Sequence, residues 1–107
     1  MAYYLMQAAY TAEAWAAMVK DPQNRTEVIR PVIEQLGGSL VGTWFAFGEY
    51  DVIGIIQMPD NVSAAAVSLA ASAGGAVKAI KTTPLMTIEE GMEAMRKAGK
   101  AGYQPPS

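Results

Sequence analysis

The chain has 107 residues, 51% of them hydrophobic and 17% charged, with a formal net charge of −2 and a pI near 5.0. That length and composition give one domain with a fillable core and exclude a disordered chain. The mild acidity argues against a nucleic-acid partner, whose phosphates require clustered Lys and Arg. The chain contains neither cysteine nor histidine, so disulfides, thiolate chemistry and the usual metal centres are excluded, and neither metal nor organic cofactor is expected.

Tyr3–Tyr10 mixes aromatic and aliphatic residues and reads as a first strand, with Thr11 as the cap of a helix over Thr11–Val19. Trp15, Met18 and Val19 lie on one side of that helix. Asp21-Pro22 interrupts it, because the residue before a proline avoids the helical region. The next helix has two possible starts, at Asp21 with Pro22 first or at Asn24 with Glu27 closing a capping box. Its apolar stripe is Val28, Ile29, Val32, Ile33 and Leu36, with Pro31 inside and Gly37-Gly38 as the stop.

Leu40–Phe47 and Val52–Met58 read as paired strands joined across Gly48-Glu49-Tyr50-Asp51. Pro59-Asp60-Asn61 ends the second strand and caps a helix over Val62–Ala73. Its small-sided face of Val62, Ala65, Ala66, Leu69 and Ala73 suits close approach to a sheet. Val77–Thr83 is predicted as the last strand. Thr87-Ile88-Glu89-Glu90 has capping-box spacing and starts a terminal helix with Ile88, Met92 and Met95 on one side. Residues 1–101 are expected to form the domain, and 102–107 a mobile tail containing two prolines.

The order β-α-β-β-α-β plus a terminal helix is the split βαβ pattern of an α+β, ferredoxin-like fold. Trp44 and Ala46 alternate with Phe45 and Phe47, and Ile53 and Ile55 with Val52 and Ile56, so both faces of the middle strands are apolar. Helices on one side cover only one face of such a sheet. A second copy is the economical cover for the other, which predicts a dimeric α/β barrel: a homodimer or higher homo-oligomer. Met1–Leu5 lacks a basic leader, and no apolar run approaches the ~20 residues of a membrane span. A soluble, cytoplasmic protein without a membrane partner is expected.

Gly48-Glu49-Tyr50-Asp51 fits the Gly-x-Tyr-Asp signature of the GYD-domain family, which the chain resembles along most of its length. Tyr10-Thr11-Ala12-Glu13 is similar to the family's exit from strand one, and Arg25 and Glu34–Gly38 to its first long helix. Phe45–Asp51 resembles the signature hairpin, and Met58-Pro59-Asp60-Asn61 the following turn. Lys81-Thr82-Thr83, Leu85-Met86-Thr87 and Glu89-Glu90 resemble the last strand and its exit. Trp15 and Pro84 depart from the pattern. The resemblance implies a ferredoxin-like domain packed as a dimeric barrel, and implies no shared reaction.

Without histidine, proton chemistry falls to Asp, Glu, Tyr and Lys. Asp51 and Tyr50 are the candidate catalytic pair, since Asp51 opens an apolar strand whose burial would raise its pKa. The same residues also suit a plain structural role, with Gly48 and Asp51 forming the turn and Tyr50 anchoring it. Arg25, Trp44, Glu49 and Lys81 are candidate ligand-binding residues. Arg25 sits at a helix start, where its charge opposes the dipole and invites an acidic partner, or makes a surface ion pair. Lys81 either binds a carboxylate or guards an edge strand. Trp44 joins other aromatics as pocket wall or as core. Two functions follow: a binding or assembly module that takes a small organic ligand, or a cofactor-free enzyme acting on a small apolar or aromatic substrate at Tyr50 and Asp51.

Overall fold

A computed structural model describes residues 1–106; Ser107, the last residue of the expected tail, lies outside the described residues. The chain runs β1 (Ala2–Tyr10), α1 (Ala12–Lys20), α2 (Thr26–Gln35), β2 (Ser39–Phe45), β3 (Val52–Met58), α3 (Asn61–Ala73), β4 (Val77–Leu85) and α4 (Ile88–Gly99). The strands form one antiparallel sheet in the order β2-β3-β1-β4, an α+β arrangement compatible with a ferredoxin-like fold.

Local signals fix the element ends. Thr11 Oγ1 accepts from Ala14 N–H at 3.0 Å, and Asp60 Oδ1 accepts from Ser63 N–H at 2.7 Å, each satisfying an orphan donor at a helix start. Thr87 and Glu90 form a reciprocal capping box. Gly37 ends α2 at φ +88°, a conformation that a side chain opposes. At Gly38 a Cβ would run into Met58 Sδ and the Gln57 carbonyl, so β2 begins against β3 only because that residue is bare.

The sheet has two faces with different fates. Rows across the helix-covered face read Leu40, Ile56, Tyr4, Pro84; then Thr43, Gly54, Met6, Thr82; then Phe45, Val52, Ala8, Ile80. Tyr4, Ile33, Ile56, Met58, Ala64 and Val67 form the buried cluster, drawing on β1, α2, β3 and α3. Fully burying side chains of this size contributes about 1.5–3 kcal/mol each. Rows across the opposite face read Trp44, Ile53, Gln7, Lys81, then Gly42, Ile55, Leu5, Thr83.

Four expectations need correction. The second strand ends at Phe45 rather than Phe47, because Ala46–Asp51 is a loop closed by Ala46 N–H donating to the Asp51 carbonyl at 2.7 Å. Phe47 is fully exposed there. The last strand does not stop before Pro84 but runs through it to Leu85, as an edge strand permits. α2 starts at Thr26, later than Asp21 or Asn24 suggested, although Asn24 Oδ1 does accept from Thr26 N–H at 3.1 Å. α3 turns Ala64 and Val67 inward while Val62 and Leu69 are exposed. Its sequence is apolar nearly all round, so periodicity does not choose a face.

α4 buries none of its residues, and Ile88, Met92 and Met95 stay exposed. The radius of gyration is 17.2 Å, against about 13 Å for a compact chain of this length, and the longest dimension is 57 Å. α4 stands off the body.

Candidate functional site

Within the helix–sheet layer the packing is uneven. Beyond Ile33 and Ile56 lies a cavity of about 430 Å³ between the sheet, α2 and α3. Its floor is Met6, Ala8, Val52 and Gly54, and Ile29 and Val32 of α2 form one wall. The opposite wall is built from small residues, Ala70, Ala71, Gly74 and Ala76, where α3 gives way to β4. Short side chains there leave space that large ones fill at the Tyr4 end. Protein interiors elsewhere hold few voids larger than a water molecule.

Polar groups gather on the α2 side of this space. Asn24, Arg25, Thr26 and Thr43 border it, and the Thr26 and Thr43 hydroxyls bond each other at 2.7 Å. Tyr10 also borders it, with its ring edge-on to Trp15 at 5.3 Å. Burial raises the Tyr10 pKa; the nearby Arg25 guanidinium opposes that rise and Asp51 adds to it. The phenol is therefore a neutral hydrogen-bonding group near neutral pH.

Asp51 ties the signature turn to the far end of β1. Its Oδ2 accepts from Tyr10 N–H at 2.8 Å and from Trp15 Nε1–H at 3.1 Å, while its own N–H donates to the Ala8 carbonyl at 2.8 Å. Trp15 packs against both Tyr10 and Phe45, the latter at 6.2 Å between ring centroids. One carboxylate thus fastens β1, α1 and the β2–β3 loop together.

The residues singled out from sequence divide into three places. Arg25 borders the cavity and Asp51 sits behind Tyr10. Trp44 borders the cavity as part of β2, but its ring lies over Gly42 on the opposite face, in one cross-sheet row with Lys81. Glu49 and Tyr50 lie in the loop before β3 and do not line the cavity, nor does Lys81. Sequence reasoning centred the candidate site on the signature turn at Tyr50 and Asp51 and missed the cavity under the helices. The available signal was the run of small residues from Ala70 to Ala76 opposite Ala8 and Gly54. Tyr10 and Trp15 were missed as partners of Asp51 because 41 and 36 residues separate them from it.

Among the described residues, no cluster of acids could hold a metal ion, and no helix is long and apolar enough to cross a membrane.

The family model described as GYD domain matches residues 4–95. The crystal structure of TTHA0845 from Thermus thermophilus is similar in fold, with a TM-score of 0.53 at 12% sequence identity. The likeness covers 81% of this chain and 95% of that one. Comparison with curated proteins finds no match.

Proposed function

The chain belongs to the GYD-domain family, and from that premise we propose that it is a small-molecule-binding module whose copies pair through their uncovered sheet faces. The cavity carries this reading. Its volume of about 430 Å³ falls in the ~300–1,000 Å³ range of ligand sites, and it combines apolar walls with a few polar groups at one side. An empty space of that size inside so small a domain is a stability cost with no structural return. Asp51, held by two donors, keeps the Tyr10 side of the site in shape.

Pairing is supported by the second face. Leu5, Ile53 and Ile55 lie there without a covering helix, beside Trp44. Contiguous apolar surface of this kind marks an interaction site. A second copy of the same sheet supplies a matching apolar surface, and the exposed Ile88, Met92 and Met95 stripe of α4 offers another contact.

Native mass spectrometry of gently isolated protein tests the binding role. A bound small molecule should be lost on denaturation and should be absent from Gly54→Leu, where a side chain built from the cavity floor fills the space. Wild-type protein that carries nothing and fails to enhance a hydrophobic dye would reject the reading. Sedimentation tests the pairing. A stable 11.3 kDa monomer throughout the micromolar range would reject it, whereas an oligomer that dissociates on Ile55→Asp supports it.

A further inference from the structure

The one arginine that borders the cavity lacks an acid. Arg30 lies 4.0 Å from Glu27 and Arg96 lies 3.0 Å from Glu93, one helical turn apart in each case. Among the described residues Arg25 makes no ion pair; its guanidinium meets the neutral Tyr10 hydroxyl and lies 3.5 Å from Gln23 Oε1. It is half-buried and occupies the N-cap position of α2, where the helix dipole disfavours a cation and where its side chain caps nothing. The carboxylate in its neighbourhood, Asp51, already accepts two hydrogen bonds on Oδ2. A charge kept in an unfavourable place beside an apolar space, with no internal counter-ion, is one that a ligand can complete.

We infer that the cavity accepts an amphipathic carboxylate, with its head on Arg25 and Tyr10 and its apolar body between α2, α3 and the sheet. This inference rests on the binding role proposed above. The head group follows from the guanidinium, which matches a carboxylate bidentately, and from Tyr10, whose neutral hydroxyl can donate a further hydrogen bond. The body follows from the walls: Ile29, Val32, Val52 and Ile80 offer no polar partner along the length of the space. The size follows from the volume. At ~30 Å³ per water-sized group, about 430 Å³ holds roughly fourteen such groups, enough for a medium-length chain or a fused pair of rings.

Isothermal calorimetry with two matched pairs of probes reads the chemistry. Decanoate and 1-naphthoate carry the head on chain-like and ring-like bodies, and decanol and 1-naphthalenemethanol are their neutral counterparts. At least one acid should bind wild-type protein ten-fold or more tightly than its alcohol, and which pair binds better identifies the body. Arg25→Gln should abolish that difference by weakening the acid far more than the alcohol, with the circular dichroism spectrum native. Arg25→Lys should restore part of it. Gly54→Leu should weaken acid and alcohol together. Acid and alcohol binding equally to wild type would overturn the head-group assignment, as would an Arg25→Gln protein that keeps the acid preference. If the alcohols bind and Gly54→Leu removes them, the cavity still binds ligands and only the carboxylate inference falls. Binding by none of the four probes would overturn the carboxylate inference, while a different molecule found by native mass spectrometry would leave the binding role standing.

Discussion

At one end of the helix–sheet layer, Tyr4, Ile33, Ile56, Met58 and Val67 interlock with almost no exposed surface. At the other, under the same two helices, Ala8, Gly54, Ala70 and Gly74 leave a hollow. Backbone and topology are shared, so side-chain volume alone separates the ends. Large residues on both sides of the layer make a core, and small ones on both sides make a chamber. The boundary falls at Ile33, Ile56 and Val67, which belong to the packed cluster and also line the chamber.

The contrast makes substitutions at the two ends behave oppositely. Ile56→Ala strikes the filled end and should cost about 2–5 kcal/mol in urea denaturation, as buried aliphatic truncations do. A cost below about 1 kcal/mol would mean that this end is loose as well. Gly38→Ala drives a methyl into Met58 and the Gln57 carbonyl, and should cost about 1–3 kcal/mol by overpacking; a neutral outcome would show that β2 and Met58 shift freely. Asp51→Ala removes the acceptor for Tyr10 N–H and Trp15 Nε1–H, with an expected loss of about 1–3 kcal/mol in the same assay. Retained stability would mean that water takes over both donors.

Gly54→Leu, at the hollow end, should change stability by less than about 1.5 kcal/mol, because a Cβ there meets only ordinary contacts and the remaining atoms enter open space. A large loss would show that the chamber closes in solution. The smallest effect concerns pH. Burial raises the Tyr10 pKa above the usual value near 10, with Arg25 opposing and Asp51 adding, so the folded state favours the protonated phenol. Its contribution is complete below pH ~10 and is lost as pH rises through the higher folded value. Stability of Tyr10→Phe should consequently fall less than that of wild type as pH rises above ~10. Parallel curves would remove Tyr10 from the alkaline response.

The sequence was most legible where one residue type admits one conformation. β3 is bounded as read because Asp51 and Pro59 flank an unbroken apolar run. The Thr11, Asp60 and Thr87 caps are visible in sequence because a capping side chain acts on an amide three residues away. The inward face of α3 was hidden by its uniform small apolar composition, whereas α4's stripe of Ile88, Met92 and Met95 shows in the spacing but stays exposed. The site was half legible. Arg25 and Asp51 stood out by charge, whereas the chamber arises from residues defined by what they lack, brought together from β1, β3, α3 and the turn before β4. Absence of side chains leaves no motif.

The two edges of the sheet also limit how copies can join. Val41 is an extra residue in β2, bulging out between the Leu40 and Gly42 pairings with β3. At the other rim, Pro84 has no N–H to offer a fifth strand. A protein whose sheet could grow sideways would polymerise as soon as its concentration rose. Here both rims are blunted while a broad face stays open, so association by stacking is allowed and extension by hydrogen bonding is obstructed. Pro84→Thr, by restoring the missing donor, would shift that balance towards fibrous aggregates, so that one ring nitrogen serves as a guard on solubility.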